Sequence, residues 1–166
     1  IEEMVEQPSI DTDEWKDLLR TCSARLLDNE NILSSSVRLN QDLETRWIVP
    51  TDGVQVREVR PHVRLAVMTS TIAEDGMELD TYEYIDANST DGWTLDTCLD
   101  LANTASTALD ALLEAPVVDP FVGPAILRGK AAAVFFHEIL GHRIEGHRQK
   151  DEDEGQTLTD KVGQPI

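Results

Sequence analysis

Basic residues, cysteines and long apolar runs are all scarce in this chain, and each scarcity closes off a class of function. Only 14 lysines and arginines stand against 32 aspartates and glutamates, for a net charge of −18 over 166 residues. Such a balance repels nucleic-acid phosphates and anionic lipid, so direct DNA binding is disfavoured. The longest apolar run, Ala131-Ala-Ala-Val-Phe-Phe136, falls far short of the roughly 20 residues that a membrane span requires. No basic-then-apolar leader opens the chain, and a soluble, cytoplasmic protein with no membrane partner is expected. The two cysteines, Cys22 and Cys98, are too far apart for a CxxC metal knuckle and too few for a disulfide scaffold. Each falls on the apolar side of an expected helix, as a buried free thiol would.

The length suits one domain with a real core. The chain opens at Ile1 without an initiator Met and stops at Val162-Gly-Gln-Pro-Ile166 with no element completed, so a piece of a longer gene product is expected. Residues 1–11 read as a flexible lead-in. Asp11 followed by Glu14 marks a helix start, and Trp15, Leu18, Leu19, Cys22, Leu26 and Leu27 recur at helical spacing, predicting an amphipathic helix over about Thr12 to Asp28.

From Ile32 to Asp86 the period changes to two, with breaks at Asp52-Gly53, Arg60-Pro61 and Glu74-Asp75-Gly76. Strands are expected at Leu33–Asn40, Leu43–Val49, Val54–Val59, Val63–Ala73 and Met77–Ala87, joined by short antiparallel connections. Charges at Glu78, Asp80 and Glu83 make one sheet face wet, so helices must cover the other. A second amphipathic helix, about Thr94 to Glu114, supplies the stripe Leu95, Cys98, Leu99, Ala102, Ala105, Leu109, Leu112 and Leu113, and Ala115-Pro116 ends it. The fold class is therefore α+β: an antiparallel β-meander of four to five strands covered by two amphipathic helices, followed by a metal-motif helix. The expected domains are 12–128 for the α+β N-terminal part, 129–148 for the motif helix and 149–166 for an acidic, solvated loop.

Gly123 and Pro124 open a segment that ends in Gly129-Lys130 and looks like a phosphate loop. It fails on spacing, with five residues between the glycines, and on Ala131 where a magnesium-binding hydroxyl belongs. Asn88-Ser-Thr90 matches a glycosylation sequon, a three-residue pattern too common by chance to carry weight.

Chemistry is concentrated at His137-Glu-Ile-Leu-Gly-His142. Two imidazoles flank a carboxylate that could act on a metal-activated water. The usual zincin pattern separates its histidines by four positions, about 40° around a helix; five positions on an ideal helix diverge by about 140°, too far to share a tetrahedral ion. A turn of the π type, at about 4.4 residues per turn, would bring the second histidine back to within roughly 50° of the first. Alternatively the helix ends at Gly141 and His142 enters from a loop, glycine being the residue that best tolerates either departure. The plainer reading makes both histidines hydrogen-bonded core residues with Glu138 facing solvent. Against it, three of the four histidines cluster at 137, 142 and 147 in an acidic chain.

The run from Gly123 through Ala131-Ala-Ala-Val-Phe-Phe-His-Glu-Ile-Leu-Gly-His-Arg-Ile-Glu-Gly-His-Arg-Gln-Lys150 closely resembles the TldD/PmbA family of zinc metallopeptidases, long described as modulators of DNA gyrase. The likeness covers about Pro116 to Gly155, and the helix, meander, helix order upstream is compatible with it. The resemblance implies that His137 and His142 ligate Zn2+ and that Glu138 is the general base. It also implies a further cysteine ligand from a C-terminal half. No cysteine follows His142, and neither Cys22 nor Cys98 matches that position, so the site is incomplete in this stretch and inactive by itself unless His147 substitutes. Glu145 stands where the motif keeps a glutamate, either as a partner to a ligand histidine or as a helix-surface carboxylate.

The family's habits further imply a peptide or unfolded-protein substrate and a homo- or hetero-oligomer with a related subunit. An edge of the meander offers strand addition as a way to hold an extended peptide. The competing reading is a non-catalytic interaction or assembly module whose histidine cluster is structural.

Overall fold

In the computed structural model, which describes residues 10–150, 153, 156–161 and 163–164, helix α1 spans Thr12–Leu26. Asp11 starts it: the carboxylate accepts the amides of Asp13 and Glu14 at 3.0 and 3.1 Å, satisfying two donors that the first turn leaves without partners. The apolar spacing carries Trp15, Cys22 and Leu26 into the core, with Leu18 and Leu19 packed at its margin. Leu27 lies one residue past the helix end and is 78% exposed, so the stripe is one residue shorter than its periodicity suggests.

Among the described residues the sheet has three strands, not four or five: β1 (Ser34–Ile48), β2 (Val56–Ile72) and β3 (Glu78–Ala87), antiparallel in that order. The expected interruptions after Asn40 and at Arg60-Pro61 do not occur, because each strand runs straight through. Pro61 pairs with Leu43, two residues beyond Val63, where β2 loses its β3 neighbour. A strand with one neighbour tolerates a residue without an N–H, which a central position would not. Two breaks do hold. One is the turn near Asp52-Gly53; the other follows Ala73, where Met77 donates to the Asp75 carboxylate at 3.0 Å and Gly76 takes φ 87°, a left-handed conformation natural to glycine.

Register decides which face is covered. Val63, Leu65, Val67, Thr69 and Thr71 alternate into the core, and the intervening Arg64 lies on the open face, forked onto Asp86 at 2.7 and 2.8 Å. Glu83 is an exception to the expected wet row: it pairs with Val67, and so belongs to the helix side, half-buried at its margin. Beyond β3, the β1–β2 ladder continues as a two-stranded ribbon whose far end exposes Trp47 and Ile48.

Helix α2 (Leu95–Glu114) packs on β2 and β3, and α1 packs on α2 and β1, giving two layers. Thr94 caps α2 through a capping box with Thr97, and Ala115, preceding Pro116, is extended and ends it. The buried face is Cys98, Leu101, Ala102, Ala105 and Leu109. Two fully buried alanines bring the helix backbone close enough for the Thr81 hydroxyl to donate to the Ala105 carbonyl at 3.1 Å, while Thr81 and Thr69 share a 2.7 Å bond. The Cys22 thiol meets the Cys98 carbonyl at 3.1 Å, and both cysteines are free and buried. Burial, with a smaller effect from Cys98, pushes the Cys22 thiol from its ordinary 9.0 up to about 11.

The chain divides into two compact units, Ile1–Val117 and Val118–Ile166. In the second, residues 118–128 form an irregular connection, α3 spans Gly129–Phe136, a π turn spans His137–Gly141, and a 3-10 turn spans His142–Ile144. The helical path ends there, before residue 148. The chain then turns through 146–150. The expected lead-in lies mostly outside the described residues, as does part of the expected loose tail; within the tail, Thr159–Lys161 form a short 3-10 turn and the Thr159 hydroxyl donates to the Gln149 side chain at 3.0 Å. No helix among the described residues is long and apolar enough to cross a membrane.

Leu65 is completely buried whereas Leu43, on the ribbon, is 37% exposed. Denaturant unfolding should therefore show Leu65→Ala costing about 2–5 kcal/mol and Leu43→Ala about 0.5 kcal/mol. A second expectation follows from the raised Cys22 thiol. The folded state holds its proton to higher pH than the unfolded state, so this contribution to stability is intact below pH 9 and is lost as pH rises toward about 11. Unfolding midpoints measured across that window should fall for the native chain and fall less for Cys22→Ala.

Candidate metal centre

The π turn at His137–Gly141 solves the spacing problem that the sequence poses. The amide of His142 donates to the carbonyl of His137, five residues back, and also to that of Leu140. One wide turn absorbs the extra residue and brings the rings back to one side. Their centroids are 4.5 Å apart at an interplanar angle of 74°. Glu138 joins them: its Oε2 is 3.8 Å from His142 Nε2, and one ligand atom from each of His137, Glu138 and His142 falls within 4.8 Å of the others.

Gly141 does not act through left-handed freedom. Its φ and ψ are −50° and −58°, ordinary right-handed helix, and a Cβ there would sit 3.8 Å from His137 Nδ1, a normal contact. What glycine provides is an open flank beside the His137 ring. A branched side chain would crowd it.

His142 is half-buried and its other nitrogen is engaged: Nδ1 lies 2.9 Å from Glu145 Oε1. Glu145 sits just past the 3-10 turn, at extended angles of φ −60° and ψ 127°, so it is no helix-surface carboxylate. The hydrogen bond from His142 is the chief effect holding the Glu145 carboxyl below its ordinary value, with the charges of His142 and Arg148 acting the same way. His147 is not drawn into the cluster; it is exposed, with Nε2 3.6 Å from Glu145 Oε2. His62, the remaining histidine, is on the sheet beside Asp86 at 3.2 Å. Sequence reading puts Arg148 at the end of the motif helix, 129–148, and gives it no role; in the structure its Nε donates to Glu145 Oε2 at 3.0 Å, and the three-residue Glu145 to Arg148 spacing was the signal available.

Two imidazoles and a carboxylate converging on one point form a donor set that suits a borderline-soft divalent ion such as zinc, whose ligands are chiefly nitrogen, sulfur and carboxylate oxygen. A zinc shell needs a ligand more than the two histidines supply if Glu138 is left to act as a base. Cys22 and Cys98 are buried in the core of the other unit.

An α+β domain is thus followed by a segment in which His137, Glu138 and His142 could together hold a metal ion. Residues 6–114 match the PmbA/TldA metallopeptidase central domain, two thirds of the chain, and the chain belongs to that family. The match covers α1, the sheet and α2 and stops before the histidine segment, so it is independent of the likeness carried by residues 116–155. No curated protein and no solved structure matches the chain.

Because a Cβ at position 141 would lie an ordinary 3.8 Å from His137 Nδ1, zinc titration of the full-length protein should place Gly141→Ala within about threefold of the native affinity, under 1 kcal/mol. Gly141→Val should bind distinctly more weakly. Equal affinities for all three would show that the open flank is not used.

Proposed function

We propose that the His137-Glu138-His142 cluster is the metal centre of a zinc-dependent peptidase acting on flexible or unfolded peptides. The observation that carries this reading is the convergence of the three side chains on the π turn, at a spacing that a regular helix would scatter. His137 and His142 would hold the ion, and the family likeness supplies the expectation of a cysteine from elsewhere in the full-length protein to complete it. Zinc so held supplies Lewis acidity, acidifying water and polarising a carbonyl.

The remaining chemistry belongs to Glu138. Its carboxylate, exposed and next to His142 Nε2, is placed to take the proton from an attacking water and to return it to the departing amine. His142 presents Nε2 to the same point because its Nδ1 is already committed to Glu145. An extended peptide could add to an edge of the sheet, where main-chain hydrogen bonds hold a substrate with little regard to side chains. The acidity of the chain favours a peptide over nucleic acid as the molecule acted on. A related subunit as oligomeric partner and a cytoplasmic setting complete the proposal.

Glu138→Gln in the full-length protein should retain stoichiometric zinc while peptide cleavage falls by about 10²–10⁴-fold, the usual worth of a general base. His137→Ala should lose the metal. Unchanged cleavage by Glu138→Gln, or a native protein without zinc, would return the cluster to the reading of structural histidines in an assembly module.

A further inference from the structure

The carboxylate of Glu145 is held at both oxygens. Oε1 faces His142 Nδ1 at 2.9 Å, and Oε2 accepts from Arg148 Nε at 3.0 Å, with His147 Nε2 at 3.6 Å from that same oxygen. An ionised carboxylate can only accept hydrogen bonds, so a bond to Nδ1 requires the proton to be on Nδ1. The Nε2 lone pair is then free on the side of the ring where Glu138 Oε2 lies, 3.8 Å away. The turn that carries Arg148 is itself tied down, since the Gln149 side-chain amide donates to the Arg143 carbonyl at 2.5 Å.

We infer that Glu145 and Arg148 are positioning residues for the metal centre: Arg148 orients the Glu145 carboxylate, which fixes His142 as the Nδ1–H tautomer and aims Nε2 at the ion. Two interactions on separate oxygens fix the carboxylate plane, which a single surface ion pair would not do. A carboxylate behind an imidazole also makes the ring a stronger donor to a metal. The Arg148–Glu145–His142 chain lies within seven residues of sequence, so the centre carries its own support, immediately after the π turn. The inference rests on the zinc reading for its functional meaning, and its geometry can be tested apart from it.

The test uses the full-length protein with two readouts. The first is the tautomer of His142 in the metal-free protein, from two-bond proton–nitrogen correlation spectra at a pH where the ring is neutral. The native protein should show Nδ1–H, and Glu145→Ala should shift His142 toward the Nε2–H form. The second is the zinc dissociation constant, measured by competition with a chromogenic chelator. Glu145→Ala should weaken zinc by about 10–100-fold. Glu145→Gln, whose amide oxygen still accepts from Nδ1–H, should lose less, and Arg148→Ala should fall between native and Glu145→Ala. An Nε2–H tautomer in the native protein, or zinc affinities unchanged across the Glu145 and Arg148 variants, would overturn the inference. A native protein that takes up no zinc would end the peptidase reading alone. In that event the tautomer still decides the role of Glu145, which stands if Nδ1–H depends on it and falls if it does not.

Discussion

The π turn at His137–Gly141, closed by the bond from the His142 amide to the His137 carbonyl five residues back, is the constraint on which the site depends. With regular helical bonding positions 137 and 142 would face directions about 140° apart. The π turn brings the rings to 4.5 Å without loops from elsewhere. It also sets the start of the 3-10 turn, which delivers Glu145 to Nδ1 of the same histidine. The placing of both rings, of Glu138 and of Glu145 thus follows from one extra residue in one turn. π turns are rare and found mostly at functional sites, in keeping with a local cost that the rest of the structure must offset.

Much of the architecture was legible because it depends on local rules. Asp11 caps α1 as a Ser/Thr/Asp/Asn position should, the spacing of Trp15, Cys22 and Leu26 defines a buried stripe, and Pro116 closes α2. The strand count was not legible. Pro61 is a break in a central strand and harmless in an edge one, and only pairing register, a long-range property, says which applies. Glu83 is a different case: three residues from Asp80, it falls on the opposite face by strand alternation alone, and its partner Val67 agrees.

At the site, residue chemistry pointed to His137, Glu138 and His142, and the spacing argument reduced the geometry to two alternatives. The structure holds the π turn. The departure from regular helix falls at Gly141 as expected, the last residue of the π turn, yet its φ and ψ are ordinary right-handed values, so left-handed freedom is not what glycine supplies there. Arg148 was missed because position 148 was read as the end of a continuous helix, whereas the helical path ends at Ile144 and the Glu145–Arg148 pair forms across a non-helical turn. Family membership, by contrast, is carried by the α+β unit through residues 6–114, which contains none of these site residues.

The most direct test of the account is a crystal structure of the full-length protein with zinc, located by anomalous scattering at the zinc edge. The account predicts one ion bound by the imidazoles of both His137 and His142, the π turn intact between them, and the Glu138 carboxylate beside the ion's open position. An ion elsewhere, or a regular helix with the two rings on opposite sides, would contradict it.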